Sequence, residues 1–388
     1  MLTAMKEQFE KQFDAQPEVA AFAPGRINLI GEHTDYNGGY VFPAAIELGT
    51  YGLARKRDDR TIRFYSLNFE EAGVITFSLD DLDYDKADSW ANYPKGMVKF
   101  LIEAGYNIEN GFDVIVEGNI PNGASLSSSA SIEMLTGWLM KSLFNLDVER
   151  LELIQLGRKV ENHFIGVNSG IMDQFIVGMG QKDQAILLDT SSLEYHYVPT
   201  EFGDYTISIM NTNKRRELAE SKYNERLEEC QKALALLQQE LDVEALGHID
   251  EATFEAHAHL IDDPVLLKRA RHAVTENARV KAAYDALEHS DFERFGQLLN
   301  ESHASLKDDY EVTGVELDTL AESAQQVDGV LGARMTGAGF AGCAIALVHQ
   351  SKIKALEEEV TRNYTEKIGY APSFYHVNIG DGVKSIEL

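Results

Sequence analysis

Polar side chains able to bind and transform a small ligand are concentrated near the start of the chain. The stretch reads Ala23-Pro-Gly-Arg-Ile-Asn-Leu-Ile-Gly-Glu-His-Thr-Asp-Tyr-Asn-Gly-Gly39 and continues as Tyr40-Val-Phe-Pro-Ala-Ala-Ile46. Arg26, Glu32, His33 and Asp35 stand between two apolar, strand-like segments and could converge on one polar molecule. The carboxylates of Glu32 and Asp35 can accept hydrogen bonds from hydroxyl groups, and the planar fork of Arg26 matches a phosphate. A solvated turn with a surface arginine fits the same spacing, because loops are usually polar.

A second stretch, Pro121-Asn-Gly-Ala-Ser-Leu-Ser-Ser-Ser-Ala-Ser131, suits phosphate. Small side chains let backbone N–H groups approach an anion, and the N-terminus of the helix that follows adds partial positive charge. The hydroxyls of Ser127, Ser128 and Ser129 can add hydrogen bonds or ligate a hard cation. A serine N-cap needs fewer small residues than this run supplies, which favours a phosphate cradle. It is not a Walker A loop, since no Gly-Lys-Ser/Thr follows, and the protein-kinase His-Arg-Asp and Asp-Phe-Gly signatures are absent.

Two carboxylates stand out against apolar surroundings. On helical spacing Glu161 joins the stripe Ile154, Gly157, Ile165, and Asp173 lies within Gly170-Ile-Met-Asp-Gln-Phe-Ile-Val-Gly178. A carboxylate so placed needs a partner or a metal, unless it is a partly exposed charge beside apolar neighbours. The run Gly337-Ala-Gly-Phe-Ala-Gly342 formally matches GxGxxG, but a strand-like segment follows it where a dinucleotide fold requires a helix. It reads as a tight turn close to a ligand or another backbone. His257 and His259, two apart in a helical stretch, face different sides and read as solvated.

The elements that must hold these groups are mixed. Strand patterns cover 19–30, 40–55, 61–66 and 112–117, and helical spacing covers 90–103, 127–144 and 149–165. After a shift at 195–205 come a strand over 205–210 and helices over 217–240, 264–289 and 292–306. Strands over 330–335 and 343–348, a helix over 352–364 and a strand over 373–378 close the chain. The 388 residues, 44% hydrophobic, suffice for two domains. No run of about 18 apolar residues marks a membrane span. The amphipathic, charged N-terminus lacks the features of a signal peptide. Two cysteines outside any CxxC pair fit a reducing cytoplasm. A formal net charge of -28 disfavours nucleic acid as a partner. It also means that an anionic nucleotide needs local compensation from a metal ion, backbone N–H groups or a helix N-terminus.

Taken together, these stretches resemble the galactokinase family of the GHMP kinase superfamily. The run 25–39 is similar to that family's opening signature, 121–131 to the superfamily's phosphate loop and 334–343 to its third motif. The linking segment 166–174 also matches, so the likeness spans residues 23 to 343. It implies an α+β, two-lobed GHMP kinase fold. The N-terminal lobe, over 1–198, would be like the second domain of ribosomal protein S5; the C-terminal lobe, over 199–388, would be ferredoxin-like with added helices. The resemblance implies roles by position. Asp173 would take the proton from the sugar's anomeric hydroxyl. Arg26 would stabilise charge during transfer and lower the pKa of the base. Ser129 and Glu161 would hold Mg²⁺. Ser66 and Gly123, Ala124, Ser125, Leu126, Ser127, Ser128 and Ser129 would contact ATP. Glu32, His33, Thr34, Asp35, Gly170 and Tyr223 would contact the sugar. Galactose and ATP are the expected partners of a monomer in the cytoplasm, with no nucleic acid and no membrane involved.

Two departures from the family pattern matter. Ser125 replaces the second glycine of the phosphate loop, and Ala338 and Ala341 interrupt the third motif. Each adds a Cβ that disfavours positive φ. Competing readings are a GHMP kinase acting on another sugar such as N-acetylgalactosamine, and a silent galactose sensor. The sensor reading is weakened by the intact Ser129-Ala130 pair, Asp173 and Arg26. A nicotinamide oxidoreductase ranks last, resting on the 337–342 turn alone.

Overall fold

A computed structural model describes residues 1–215 and 219–388. Helix α1 (Leu2–Phe13) leads into strands β1 (Val19–Asn28), β2 (Tyr40–Val41), β3 (Pro43–Lys56), β4 (Thr61–Ser66) and β5 (Ile75–Ser78). Then come α2 (Asn92–Glu103), β6 (Phe112–Gly118), α3 (Ser128–Phe144), α4 (Arg150–Lys159), α5 (Met172–Met179), β7 (Gln184–Asp189) and β8 (Tyr195–Pro199). The second half holds β9 (Tyr205–Asn211), α6 (Ala219–Leu237), α7 (Glu251–His257), α8 (Pro264–Glu288), α9 (Phe292–Asp308) and α10 (Gly314–Gln325). It ends with β10 (Val330–Thr336), β11 (Cys343–His349), α11 (Ile353–Ile368), β12 (Ser373–Tyr375) and β13 (Lys384–Ile386).

The first lobe is built on a six-stranded sheet of order β13-β1-β3-β6-β4-β5. Its two faces follow from the alternation of side chains along a strand. Phe112, Val114 and Val116 of β6 face Met97 and Leu101 of α2 and Leu135 and Leu139 of α3. Ile115, pointing the other way, meets Met5, Phe9 and Phe13, the apolar stripe of amphipathic α1. The second lobe has a four-stranded antiparallel sheet of order β10-β11-β9-β12. With α11 between β11 and β12, and α6 to α10 inserted between β9 and β10, this is the ferredoxin-like strand order with added helices. A third core cluster joins Ile27, Leu29 and Phe42 of the first lobe to Val280, Leu298 and Ile345 of the second. The lobes therefore share apolar packing beneath the cleft that separates them.

Several elements differ from the sequence reading. Strand β13 pairs with β1, so residues 384–386 return to the first sheet instead of staying with 199–388. Strands β5, β7 and β8 and helix α5 carry no pattern long enough to announce them, whereas α10 adds a helix whose Leu317, Leu320, Ala321 and Ala324 do follow helical spacing. The continuous helix expected over 149–165 is α4 followed by a π-helical turn, Val160–Ile165. Glu217 and Leu218, the start of the helix expected over 217–240, lie outside the described residues. Among the described residues no helix is long and apolar enough to cross a membrane.

One irregularity aims the chemistry. The β1–β3 register shifts between Pro24 and Arg26, a bulge that re-aims the bulged strand. It frees the Arg26 N–H to bond the Leu126 carbonyl at 3.0 Å, fastening the first motif to the phosphate loop. Gly49 faces the bulge, and a Cβ there would lie 2.1 Å from the Ala23 carbonyl oxygen. Gly49→Ala should force the two strands apart and destabilise the fold by about 2–3 kcal/mol. A lowered thermal midpoint together with weakened turnover is the expected result; wild-type values for both would show that the bulge is not held by this contact.

Candidate active site in the cleft

The motifs meet in a cleft of about 380 Å³ lined from both lobes. At its centre Arg26, on β1, grips Asp173, in the first turn of α5. Nε donates to Asp173 Oδ1 at 2.8 Å and Nη2 to Oδ2 at 3.1 Å, a two-pronged pair. Nη1 donates to the Ser125 carbonyl at 3.0 Å. Burial works against the Arg26 charge, but Asp173, with Glu32 and Asp35, outweighs it and the pKa is raised. The Arg26 side chain is 5% exposed and that of Asp173 31%, so the carboxylate opens to the cleft while the guanidinium is enclosed. The N-terminus of α5 adds partial positive charge beside Asp173.

The phosphate loop lies along one wall. Ser125 and Ser127 both adopt left-handed backbone, with φ of 56° and 66°. Ser125 thus occupies a conformation that glycine would take without strain. Ala338 and Ala341 do not: the positive φ angles of the third motif fall on Gly337, Gly339, Phe340 and Gly342. Ser127 is the N-cap of α3, yet its side chain makes no cap bond, and its buried Oγ has no partner. A hydroxyl and a helix N-terminus left unmatched beside a cleft suit an anion.

Acidic groups dominate the rest of the wall. Among the described lining residues Arg26 is the sole Lys or Arg, against Glu32, Asp35, Glu161, Asp173 and Glu220. Glu161 lies in the π-helical turn, where burial raises its pKa and the Ser129 side chain acts to lower it. Behind it Glu133 is fully buried, with Oε1 accepting from Gln174 Nε2 at 3.0 Å. Burial and then the Glu161 charge push the Glu133 carboxyl well above the usual range. Ser129 and Glu133 are four residues apart on one helix face, a spacing that was legible in the sequence. No cluster of three His, Cys, Asp or Glu forms a ready metal cage among the described residues. Mg²⁺ needs none, because it keeps waters and substrate phosphates as ligands. The buried Glu161 carboxylate, the adjoining Ser129 hydroxyl and the surplus of negative charge fit such an ion.

At the other end lies the loop 31–36. Glu32 is buried and accepts from the Gly337 N–H at 3.0 Å. His33 holds a left-handed φ of 59° and has both ring nitrogens engaged. Nε2 lies 2.8 Å from the Ala338 carbonyl, so it must donate; Nδ1, 2.8 Å from the Tyr36 hydroxyl, must accept. Burial lowers the His33 pKa to about 3, keeping the ring neutral. Asp35 Oδ2 accepts from the Met172 N–H at 3.2 Å. A Cβ on Gly170 would lie 2.1 Å from Asp35 Cγ, so Gly170 is the residue that admits this carboxylate. The Tyr223 ring sits 5.5 Å from that of His33, and burial keeps its phenol protonated.

Of the residues expected to touch ligands, Thr34, Gly123, Ala124 and Leu126 do not line the cleft. The Thr34 hydroxyl braces its own loop through the Gly31 and Tyr40 carbonyls at 3.0 and 2.7 Å. Ala124 and Leu126 point into the core shared by the lobes. An aromatic wall escaped the sequence reading: Phe69, Trp90 and Tyr93 line the far end beside Ser66. Trp90 and Tyr93 lie three apart in the stretch read as a helix over 90–103, and only the fold brings Phe69 to them.

Burial and then the Asp173 charge raise the Asp35 pKa to about 6. The folded state thus holds this proton more tightly than the unfolded chain, whose Asp titrates at about 3.9. The stability it contributes is full below that range and lost as pH rises through about 6. Asp35→Asn keeps a neutral acceptor, so it should stabilise the ligand-free protein by about 1–3 kcal/mol near pH 8 and little near pH 4. Thermal melts at both pH values test this; an equal shift at both would remove the buried charge as the cause.

Comparison with known proteins agrees with the geometry. The galactokinase galactose-binding signature matches residues 7–56, the GHMP kinase N-terminal domain 92–181 and the GHMP kinase C-terminal domain 283–366. A model of the N-terminal part of PEP-utilising enzymes matches 200–304, which here form β9 and the helices added to the second lobe. Galactokinase of Staphylococcus carnosus is 78% identical over 388 residues, all of both chains. Galactokinase of Staphylococcus saprophyticus is 66% identical over 386 residues, again all of both chains. The crystal structure of Lactococcus lactis galactokinase complexed with galactose superposes with a TM-score of 0.98 at 55% identity, covering 99% of this chain and 100% of that one. A mevalonate kinase at 18% identity, covering 94% of this chain and 100% of its own, shares the fold with a TM-score of 0.67. With motifs, fold and full-length identity in agreement, the chain belongs to the galactokinase family of the GHMP kinases.

Proposed function

We propose that the chain transfers the γ-phosphate of ATP to the 1-hydroxyl of α-D-galactose, giving α-D-galactose 1-phosphate and ADP. The observation that carries this reading is the two-pronged Arg26–Asp173 pair, set between the phosphate loop and the loop 31–36. Asp173, the more exposed partner, accepts the hydroxyl proton as the sugar oxygen bonds to the γ-phosphorus and the bridge to the β-phosphate breaks. Arg26 fixes the carboxylate's orientation, and its charge opposes the negative charge that develops on the transferred group.

Glu32, His33, Asp35, Gly170 and Tyr223 form the sugar end in this reading. Their acceptors and one protonated phenol match a ring of hydroxyls. Thr34 serves by bracing the loop. Ser125, Ser127, Ser128 and Ser129, with the backbone from Gly123 to Leu126, form the phosphate end. Ser66 and the wall of Phe69, Trp90 and Tyr93 form a flat apolar end suited to a nucleotide base, and the buried Trp90 Nε1–H has no partner within the protein. Ser129 and Glu161 would hold Mg²⁺, which when bound neutralises phosphate charge that the acidic wall would otherwise repel. The chain works as a monomer in a reducing cytoplasm on this reading, in keeping with two free, buried cysteines.

Galactose, glucose, N-acetylgalactosamine and mevalonate, each offered with MgATP, test the substrate. Turnover on galactose should exceed the others, and binding of galactose without turnover would replace the kinase with a sensor. Asp173→Asn should keep galactose binding within a few-fold and lower kcat by about 10²–10⁴. Near-normal turnover by that variant would remove Asp173 as the base.

A further inference from the structure

Glu32 is tied to the C-terminal lobe through its N–H, its carbonyl and Oε1 of its carboxylate. Its N–H donates to Glu276 Oε2 at 3.2 Å, and its carbonyl accepts from His272 Nε2 at 3.0 Å. Its carboxylate accepts from the Gly337 N–H at 3.0 Å and lies 3.5 Å from Arg334 Nη2. None of these partners belongs to the loop or the lobe that carries Glu32, and none has a part in the proton or phosphoryl transfer.

The partners are themselves held firmly. Glu276 is fully buried; Oε2 accepts also from the Ser302 hydroxyl at 2.6 Å, and Oε1 accepts from Arg279 Nε at 2.7 Å. Burial opposes its charge, but Arg279, His272 and Arg334 outweigh this and draw its pKa down to about 2. His272 must donate from Nε2 to a carbonyl, so Nδ1 accepts from the Ser305 hydroxyl at 2.8 Å. Arg334, fully buried, donates from Nη1 to the Asn28 and Leu29 carbonyls at 2.7 and 3.3 Å. Its Nε and Nη2 make no hydrogen bond. A buried guanidinium with unmade bonds is a worse choice for stability than an apolar side chain of its size. Its nearest carboxylate is Glu32, which lines the cleft.

We infer that Glu276, His272 and Arg334 are positioning residues that fix Glu32 against the sugar and thereby set which sugar is accepted. The inference rests on the reading of Glu32 as a sugar contact. Its physical basis is that a displacement of about 1 Å at a contacting group can change rates or affinities by up to 10²-fold. Helices α8 and α9, added to the ferredoxin-like lobe, are on this view part of the sugar site without touching the sugar.

Steady-state kinetics on full-length variants separate the inference from the reading beneath it. Glu32→Gln should raise the galactose KM, and an unchanged value would end the reading of Glu32 as a contact. Glu276→Gln should raise the galactose KM about tenfold with the ATP KM within about twofold, and should narrow the preference for galactose over its epimers. His272→Ala should behave in the same way. His272→Gln, which can place an amide nitrogen near the position of Nε2, should restore most of the loss. Should the charge variant fail to fold, Ser302→Ala removes one bond from Glu276 and should still raise the galactose KM by about threefold with the ATP KM unmoved. If Glu32→Gln shifts the galactose KM but the folded Glu276, His272 and Ser302 variants leave it alone, or move both substrates' KM equally, the inference is overturned.

Discussion

Arg26 has to remain charged inside the protein, and much of the first lobe can be understood as the means of keeping it so. Burial disfavours its charge, and the compensation comes from three separated pieces of chain: Asp173 on α5, the Ser125 carbonyl in the phosphate loop, and the more distant Glu32 and Asp35. Removing one member of such a buried pair leaves the other uncompensated, which is far more damaging than the net value of the pair suggests. The bulge in β1 and the bond from the Arg26 N–H to Leu126 follow from the same need, since the guanidinium has to reach both neighbours at once. Gly337 closes the arrangement from the second lobe: a Cβ there would lie 2.9 Å from the Ser125 carbonyl oxygen. The Arg26–Asp173 pair is thus a joint between motifs remote in sequence, closed by contact with the second lobe.

Charge sets the second constraint. A chain of net charge -28 has to bind a polyanion, and the described lining of its cleft holds several carboxylates to one guanidinium. Protonation relieves part of this. Burial and the Glu161 charge hold the Glu133 carboxyl well above the usual range, while Asp35, raised to about 6, takes up a proton only as the pH falls through that value. What remains is offset by groups without formal positive charge, namely the N-terminus of α3 and the unmatched Ser127 hydroxyl, and by a divalent cation when one binds.

Some of the backbone strain lies at the cleft and in the third motif beside it. His33, Ser125, Ser127 and Phe340 all adopt left-handed φ without being glycine. Each such residue costs of order 1 kcal/mol and persists only where its surroundings over-determine it. His33 is fixed by Tyr36 and the Ala338 carbonyl, and Phe340 by a bond from its N–H to the Val312 carbonyl at 2.7 Å. The strain falls on loops that rigid strands and helices hold from both sides, an arrangement that preorganises a site before its ligand arrives.

The sequence by itself determined the motifs, most of the elements and the family, because these are local properties. Alternation in β6, the amphipathic stripe of α1 and the small-residue run before α3 are written within a few residues of one another. It also placed Glu161 and Asp173 among the candidates, as carboxylates beside apolar neighbours that call for a partner, and Arg26 and Ser129 through the polar cluster and the small-residue run that hold them. Tertiary structure decided the rest. Only folding shows that Thr34 and Leu126 turn away from the cleft, and that a π-helical turn aims Glu161. The same holds for the aromatic wall of Phe69, Trp90 and Tyr93, for β13 returning to the first sheet, and for the ties from His272, Glu276 and Arg334 to Glu32. Those contacts join residues from distant parts of the chain, and their free energies depend on burial and shared partners that no window of sequence contains.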